Sequence, residues 1–332
     1  MKLILVTPEF NPERGGVGRY LHDLYGGLPQ DRVLVIQDNE YVRHWLRAIP
    51  RLWKRLRAYP EVVLHVSHVL PLGTVALVLR LVSGRRYVVS LHGMDYFSAL
   101  GSPRKKFLLR WILKFASGIT VNTEALGRAV EVFAGREAFL LPPSLPAMAS
   151  SEFSPRRAGG LRLLVVARLV ERKGIDTIIS ALHMIPGATL TIAGDGPDRM
   201  RLEKLAGESG VLDMITLAGQ ISESAKRELY LSHDVFVMPT REIGADKEGF
   251  GIVYLEAQYF GLPVVGGEGI GVIEAIHPDL RQYAVRHTAE TLRDAILAVT
   301  AQAPKPQQLR AFAERFDSRT QSQRFWKWLK TV

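Results

Sequence analysis

Leu161-Arg-Leu-Leu-Val-Val-Ala167 and Thr189-Leu-Thr-Ile-Ala193 are two short apolar runs separated by an amphipathic stretch, Gly174 to Met184. Their alternation decides the fold. Runs this rich in Leu, Val, Ile and Thr predict strands buried on both faces, and the stretch between them is long enough for a helix that crosses back over the sheet. The pattern continues through a helix at Arg199 to Glu208, a strand at Ile215 to Leu217, a helix at Ser222 to Leu231 and a strand at Val235 to Met238. A helix starting at Ile252 and a strand at Pro263 to Val265 complete it. Such repetition implies parallel strands joined by helical crossovers.

The first half carries the same signal. Lys2 to Thr7, Val33 to Gln37, Val62 to Val66 and Tyr87 to His92 read as strands, and Val17 to Leu28 as an amphipathic helix. Between the halves, Leu141 to Gly160 holds Pro142, Pro143, Pro146, Pro155 and a terminal Gly-Gly, the composition of a linker. The expected fold class is therefore α/β, with two Rossmann-like doubly wound domains facing across a cleft: residues 1–145, a linker at 146–160, and a second domain from 161. In such sheets ligands bind beyond the carboxyl ends of the strands.

A chain of 332 residues with 47% hydrophobic content can bury a core in each domain, which excludes a disordered chain. Without cysteine there is no disulfide framework, thiolate metal site or cysteine nucleophile, which fits the cytoplasm. Met1-Lys-Leu-Ile-Leu-Val-Thr-Pro-Glu9 reads as a strand and not as a signal sequence, and the apolar stretch Val69 to Val82 is broken by Pro71, Gly73 and Arg80. Of the net charge of +10, residues 1–150 hold +9, with 20 Lys and Arg against 11 Asp and Glu. That asymmetry points the first domain at a polyanion: a membrane surface, a nucleic acid or a phosphorylated acceptor.

Chemistry concentrates at the strand ends. Glu248-Gly-Phe-Gly-Ile-Val-Tyr-Leu-Glu256 places carboxylates on either side of a glycine turn that opens a helix at Ile252. The Gly249-Phe250-Gly251 backbone and the free N–H groups of that helix can approach an anion, while Glu256 accepts from ribose hydroxyls and Glu248 from a hexose. Read alone, the pair is equally a loop glutamate and an ordinary helix glutamate. Arg168 ends one strand and Lys173 follows just before Gly174, so the two cations can converge on a leaving phosphate, although surface basics would look the same. Gly15 and Gly16 sit in Arg14-Gly-Gly-Val-Gly-Arg-Tyr20, a loop suited either to a diphosphate or to a plain turn. His92 ends a strand, where it can bond a sugar or acceptor or be satisfied by local backbone. No His, Asp or Glu cluster has metal-ligand spacing, so no catalytic metal is expected.

From Tyr41 to Pro60, Trp45, Ile49, Leu52, Trp53 and Leu56 recur at helical spacing, with Arg43, His44, Arg47, Arg51, Lys54, Arg55 and Arg57 on the remaining surface. This predicts either a helix lying in an anionic membrane interface or one packed on the core with snorkelling cations, kinked or divided at Pro50. Arg104, Lys105, Lys106, Arg110, Trp111 and Lys114 form a second cluster. No recognised nucleic-acid reader accompanies either, which makes nucleic acid the weaker partner.

Taken in order, Gly15-Gly16, His92-Gly93, Arg168 with Lys173-Gly174, Gly194-Asp-Gly-Pro197, Glu248 through Glu256 and Gly261-Leu-Pro-Val-Val265 resemble glycosyltransferase family 4, retaining enzymes of the GT-B architecture. The resemblance spans nearly the whole chain. It implies a nucleoside diphosphate sugar, UDP- or GDP-linked, with no further cofactor and no metal. Arg168 and Lys173 would neutralise the diphosphate, Glu256 would hold ribose, and Glu248 with Gly249 to Gly251 would position the hexose. Gly16 would approach the diphosphate, and His92 would face sugar and acceptor. It further implies attack by the acceptor hydroxyl on the face the diphosphate leaves, a lipid-linked or glycan acceptor at the inner membrane face, and a terminal helical segment, 312–332, returning to the first domain after a second domain of 161–311. Two departures stand out: Gly266-Gly-Glu-Gly-Ile-Gly271 replaces the usual Thr or Asp before paired glycines, and the first domain is short. A sugar-nucleotide epimerase of the same architecture and a basic nucleic-acid-binding protein are the alternatives.

Overall fold

The computed structural model describes residues 2–10, 16–37, 44–59, 61–146, 153, 159–244 and 246–332. The chain divides into two compact units, Met1–Ala147 with Phe316–Val332, and Met148–Arg315.

In the first unit, β1 (Lys2–Thr7), β2 (Val33–Gln37), β3 (Val62–Ser67), β4 (Arg86–Leu91), β5 (Gly118–Val121) and β6 (Phe139–Leu140) form a parallel sheet in the order β2-β1-β3-β4-β5-β6. Strand periodicity is visible in the core. Ile4, Val6, Leu64 and Val66 join one apolar cluster while Leu3, Leu5, Val63 and Val88 join the other. Because side chains alternate across a strand, both faces are buried and the strands read as continuous apolar runs.

The first face is covered by α2 (Trp45–Arg57), α3 (Leu72–Ser83), α4 (Met94–Leu100), α5 (Pro103–Phe115) and α6 (Glu124–Ala134). The second is covered by α1 (Gly16–Gly26) and by α13 (Ser318–Leu329), the terminal helix. Asp317 caps α13 by accepting from Thr320 N–H at 2.8 Å, and Phe325 and Leu329 enter the core. Ser322 Oγ donates to Leu24 C=O at 2.7 Å. The contact requires Gly27, where a Cβ would fall 2.7 Å from that of Ser322. A polar ladder runs beneath: His65 Nδ1 meets Tyr25 Oη at 2.5 Å and its Nε2 meets Ser90 Oγ at 2.6 Å. A buried histidine on a strand is tolerated because both ring nitrogens find partners.

The two-way reading of Tyr41 to Pro60 is decided against the interfacial helix. In α2, Ala48, Leu52 and Leu56 are buried in the core and Trp45 and Ile49 pack against it, so most of the apolar stripe is spent on the core and Trp53 alone of it stays exposed, at 36%. The helix also runs unbroken through Pro50, correcting the expected division. Pro50 lies on the exposed side, where water can replace the backbone donor that it lacks. Arg43 falls outside the described residues. No helix among the described residues is long and apolar enough to cross a membrane.

The second unit is a five-stranded parallel sheet, β7 (Arg162–Val166), β8 (Thr189–Ala193), β9 (Ile215–Gly219), β10 (Val235–Val237) and β11 (Val264–Val265), in the order β11-β10-β7-β8-β9. Its crossovers are α7 (Ile175–Leu182), α8 (Arg199–Glu208), α9 (Glu223–Ser232) and α10 (Ile252–Tyr259), followed by α11 (Ala289–Gln302) and α12 (Pro306–Glu314). The chain winds outward from β7 through β8 to β9 and then returns to place β10 on the other side of β7. Strand order thus reverses between β7 and β10, which is where the sheet opens a crevice at its carboxyl edge.

Candidate active site

That reversal brings together the loops leaving β7 and β10. After β7 the chain passes Arg168 and makes a 3-10 turn, Glu171–Lys173, closed by Gly174 at φ 68°. Only glycine fits there, since a Cβ would meet Pro239 C=O at 2.1 Å. The turn presents Arg172 and Lys173 to the loop after β10. Glu248 on that loop accepts from Arg172 Nη1 at 2.5 Å and from Lys173 Nζ, both through Oε2. The ion pair is well shielded, with Lys173 and Glu248 side chains 10% and 12% exposed. Burial alone would push the Glu248 carboxyl up, but Lys173 and then Arg172 outweigh it and bring it down to about 2. Glu248 is therefore ionised throughout the neutral range.

Gly249, Phe250 and Gly251 connect Glu248 to α10. Gly251 stands at φ 77° as the residue before the helix, with Tyr254 packed so closely that a Cβ would meet its ring at 2.6 Å. The free N–H groups of Ile252 and its neighbours begin there. Phe250 is 3% exposed, so its side chain belongs to the core and only its backbone can meet a ligand. Glu256, one turn on and 5% exposed, accepts from Lys226 Nζ and Tyr230 Oη, each at 3.0 Å. Arg168 is exposed at the end of β7 and makes no ion pair or side-chain hydrogen bond among the described residues. The structure thus brings Lys173 to Glu248 and leaves Arg168 open to an incoming anion.

In the first unit strand order reverses between β1 and β3. Gly16 opens α1, and no side chain or backbone of the described residues beyond its own helix and chain neighbours comes within 4 Å of where a Cβ would stand; Gly15 lies outside the described residues. His92, after β4, packs on Tyr20 and His68 with ring centroids 5.6 and 5.4 Å away. Its Nε2 is buried without a hydrogen-bond partner among the described residues. Burial, reinforced by His68, lowers its pKa to about 4, so the ring is neutral at physiological pH. Asp95 fixes the surrounding loops by accepting from His92 N–H at 2.9 Å and Val69 N–H at 3.1 Å.

Sequence reasoning missed Arg172, Lys226, Tyr230 and His68. Arg172 adjoins Lys173, so a basic pair before Gly174 was the available signal. Lys226 and Tyr230 share a face of α9 at i, i+4, but nothing in their spacing says that α10 lies opposite. His68 is marked only by its backbone, a non-glycine residue at φ 76°. No group of three or more His, Asp or Glu among the described residues could hold a metal ion. A cavity of about 460 Å³ lined by Tyr230, Asp234, Pro263 and Lys305 lies where β10 and β11 begin, at the edge of the sheet away from Glu248.

The chain is similar to known proteins in sequence and in fold. Residues 149–316 match the sequence profile of Glycosyl transferases group 1, and residues 28–144 that of Glycosyltransferase Family 4. A GDP-mannose-dependent alpha-(1-6)-phosphatidylinositol monomannoside mannosyltransferase of Mycobacterium tuberculosis is 32% identical, with 83% of this chain and 82% of that protein aligned. A GDP-mannose-dependent monoacylated alpha-(1-6)-phosphatidylinositol monomannoside mannosyltransferase of Corynebacterium glutamicum is 27% identical over 83% of each. Among solved structures, Anabaena HepE in complex with UDP superposes with a TM-score of 0.79 at 18% identity, covering all of both chains. Sucrose-phosphate synthase of Thermosynechococcus elongatus gives 0.76 at 18%, covering 100% of this chain and 99% of that one. At that identity the structural likeness speaks for the fold.

Proposed function

The chain belongs to glycosyltransferase family 4 of the GT-B type, and from that premise we propose that it moves a hexose, with retention, from a nucleoside diphosphate sugar to a lipid-linked acceptor hydroxyl. The observation that carries this reading is the Glu248 carboxylate held between Arg172 and Lys173 at the strand-order reversal, beside an open Arg168 and the start of α10. Arg168 and Lys173 take the diphosphate, with the free N–H groups at Ile252 and the Gly249 to Gly251 backbone. Glu248 orients the hexose and Glu256 the ribose.

The acceptor oxygen bonds to the anomeric carbon as the bond from that carbon to the phosphate oxygen breaks, and the acceptor proton passes to the departing phosphate. Fixed cations and N–H dipoles meet the charge that develops on the diphosphate, so the reaction is proposed to run without a metal. No protein nucleophile is assigned.

The names of the aligned mannosyltransferases favour GDP-mannose as donor and a phosphatidylinositol-type lipid as acceptor. Such an acceptor lies in a membrane, which gives the cationic first unit a role: we assign its contact with anionic lipid at the inner face to exposed cations of α2 and α5, together with Phe107 and Trp111, which are 65% and 38% exposed. A thermal-shift panel of UDP-, GDP-, ADP- and CDP-sugars tests the donor reading, because a ligand that binds the native state raises its melting temperature. The GDP sugars should give the largest shift, and no shift with any member would sink it.

A further inference from the structure

We infer that Arg172 is a positioning residue that holds Glu248 in place while Lys173 turns to the donor's diphosphate. The inference rests on the reading that Glu248 holds the transferred sugar and Lys173 the diphosphate. Both cations converge on one oxygen, Oε2 of Glu248. A diphosphate carries more charge than a carboxylate and competes directly for the Lys173 ammonium, a compact point charge on a flexible stem. Once Lys173 is drawn away, a carboxylate only 12% exposed is left to whatever else holds it.

Arg172 is built to stay. Its Nε lies 3.0 Å from Asp246 Oδ1 in a half-exposed ion pair while its Nη1 donates to Glu248, so the guanidinium bridges two residues of the loop after β10. Its carbonyl accepts from Arg241 N–H at 2.9 Å, which ties its backbone to the same loop. The turn that carries it ends at Gly174, whose backbone packs against Pro239 of that loop. Two adjacent cations thus divide the work. Lys173 is free to move between carboxylate and phosphate, and Arg172 is clamped to the carboxylate and to Asp246.

This division predicts that Arg172 contributes to the sugar and to turnover and not to nucleoside diphosphate affinity. Calorimetric titration of the full chain with GDP and with GDP-mannose, alongside kcat, separates the cases. Arg172→Gln should leave GDP affinity within about threefold of wild type while lowering kcat by about thirtyfold or more and reducing the GDP-mannose to GDP affinity ratio. Arg172→Lys, which keeps the charge without the fork, should recover part of the loss, and Asp246→Asn, which releases the clamp, should fall in the same direction. Lys173→Gln should lose GDP affinity by about tenfold or more.

Equal loss of GDP and GDP-mannose affinity in Arg172→Gln and Lys173→Gln would make Arg172 a diphosphate contact and overturn the inference. Unchanged kcat and ratio would overturn it as well. Should Arg172→Gln fail to fold, Arg172→Lys and Asp246→Asn decide by the same two readouts. Glu248→Gln is the control for the underlying reading: if it leaves both kcat and the ratio intact, the sugar assignment fails and takes the inference with it, whereas loss there with none in the Arg172 variants refutes the inference alone.

Discussion

The Lys173 ammonium and the Glu248 carboxylate are in contact across the point where strand order reverses in the second sheet, joining the segment after β7 to the loop after β10. Residues 75 positions apart meet there because the chain visits β8 and β9 before returning to the far side of β7. The pair is a consequence of topology, and its burial makes loss of the carboxylate costly, since the Lys173 ammonium would then be left without its partner.

Glu248→Gln keeps the side chain's shape and removes its charge. Transfer should fall by about 10²- to 10³-fold, in line with losing one charged group at a reacting centre, while the thermal transition stays cooperative. Lys173→Ala should lose activity to a similar extent and bind donor more weakly. Steady-state kinetics with circular dichroism melts check both; full activity in either variant would remove that residue from the site.

Acid should weaken the first unit before it affects the second unit's ion pair. Burial, with a smaller push from His92, lowers His65 to about 3, and burial lowers His92 to about 4. Unfolded histidines take up protons near pH 6.5, so below that pH the unfolded state binds protons that the folded state refuses. Stability is therefore full above about pH 6.5 and falls on acidification toward pH 4, by up to about 1.4 kcal/mol per pH unit for each histidine. The Glu248 stabilisation, by contrast, is complete above the ordinary carboxylate value of 4.5 and is lost progressively as pH falls from there to about 2. Urea denaturation between pH 7 and pH 4.5 should show the decline, and His65→Gln should flatten it.

Much of this was legible in the sequence, for physical reasons that also explain the gaps. Strands buried on both faces, such as Leu163 to Val165 and Val62 to Val66, announce themselves as unbroken apolar runs. β5 and β6, with 4 and 2 residues, are too short to show any period and went unassigned, with the helices around them. The glycine turn and Glu248 were found by residue type. The partners Arg172, Lys226 and Tyr230 were not, because side-chain direction across two helices or loops is a tertiary property. The stripe in α2 illustrates the converse: the same helical period serves a bilayer or a core, and only the neighbouring sheet decides.

Membrane attachment should be electrostatic, since most of the α2 stripe is spent on the core. Flotation with vesicles containing anionic lipid should recover the protein at low salt and release it at high salt, with neutral vesicles recovering little. Charge reversal of Arg104, Lys105 and Lys106 on α5 should abolish recovery without changing the melting temperature. Binding to neutral vesicles at high salt would refute the assignment.

Stereochemistry tests the mechanism apart from the site. Proton NMR of the product formed early in the reaction should show the donor's anomeric configuration preserved, in keeping with a site that offers cations and N–H groups to the leaving diphosphate and no assigned nucleophile. An inverted product would require a general base on the opposite face and a different arrangement around the sugar.

The central claim is transfer itself. Purified protein, GDP-mannose and a phosphatidylinositol mannoside in anionic vesicles, analysed by mass spectrometry of the extracted lipid, should yield acceptor heavier by one hexose, with the yield lost in Glu248→Gln. Recovery of unmodified lipid together with an epimerised donor, or equal yield from wild type and Glu248→Gln, would contradict it.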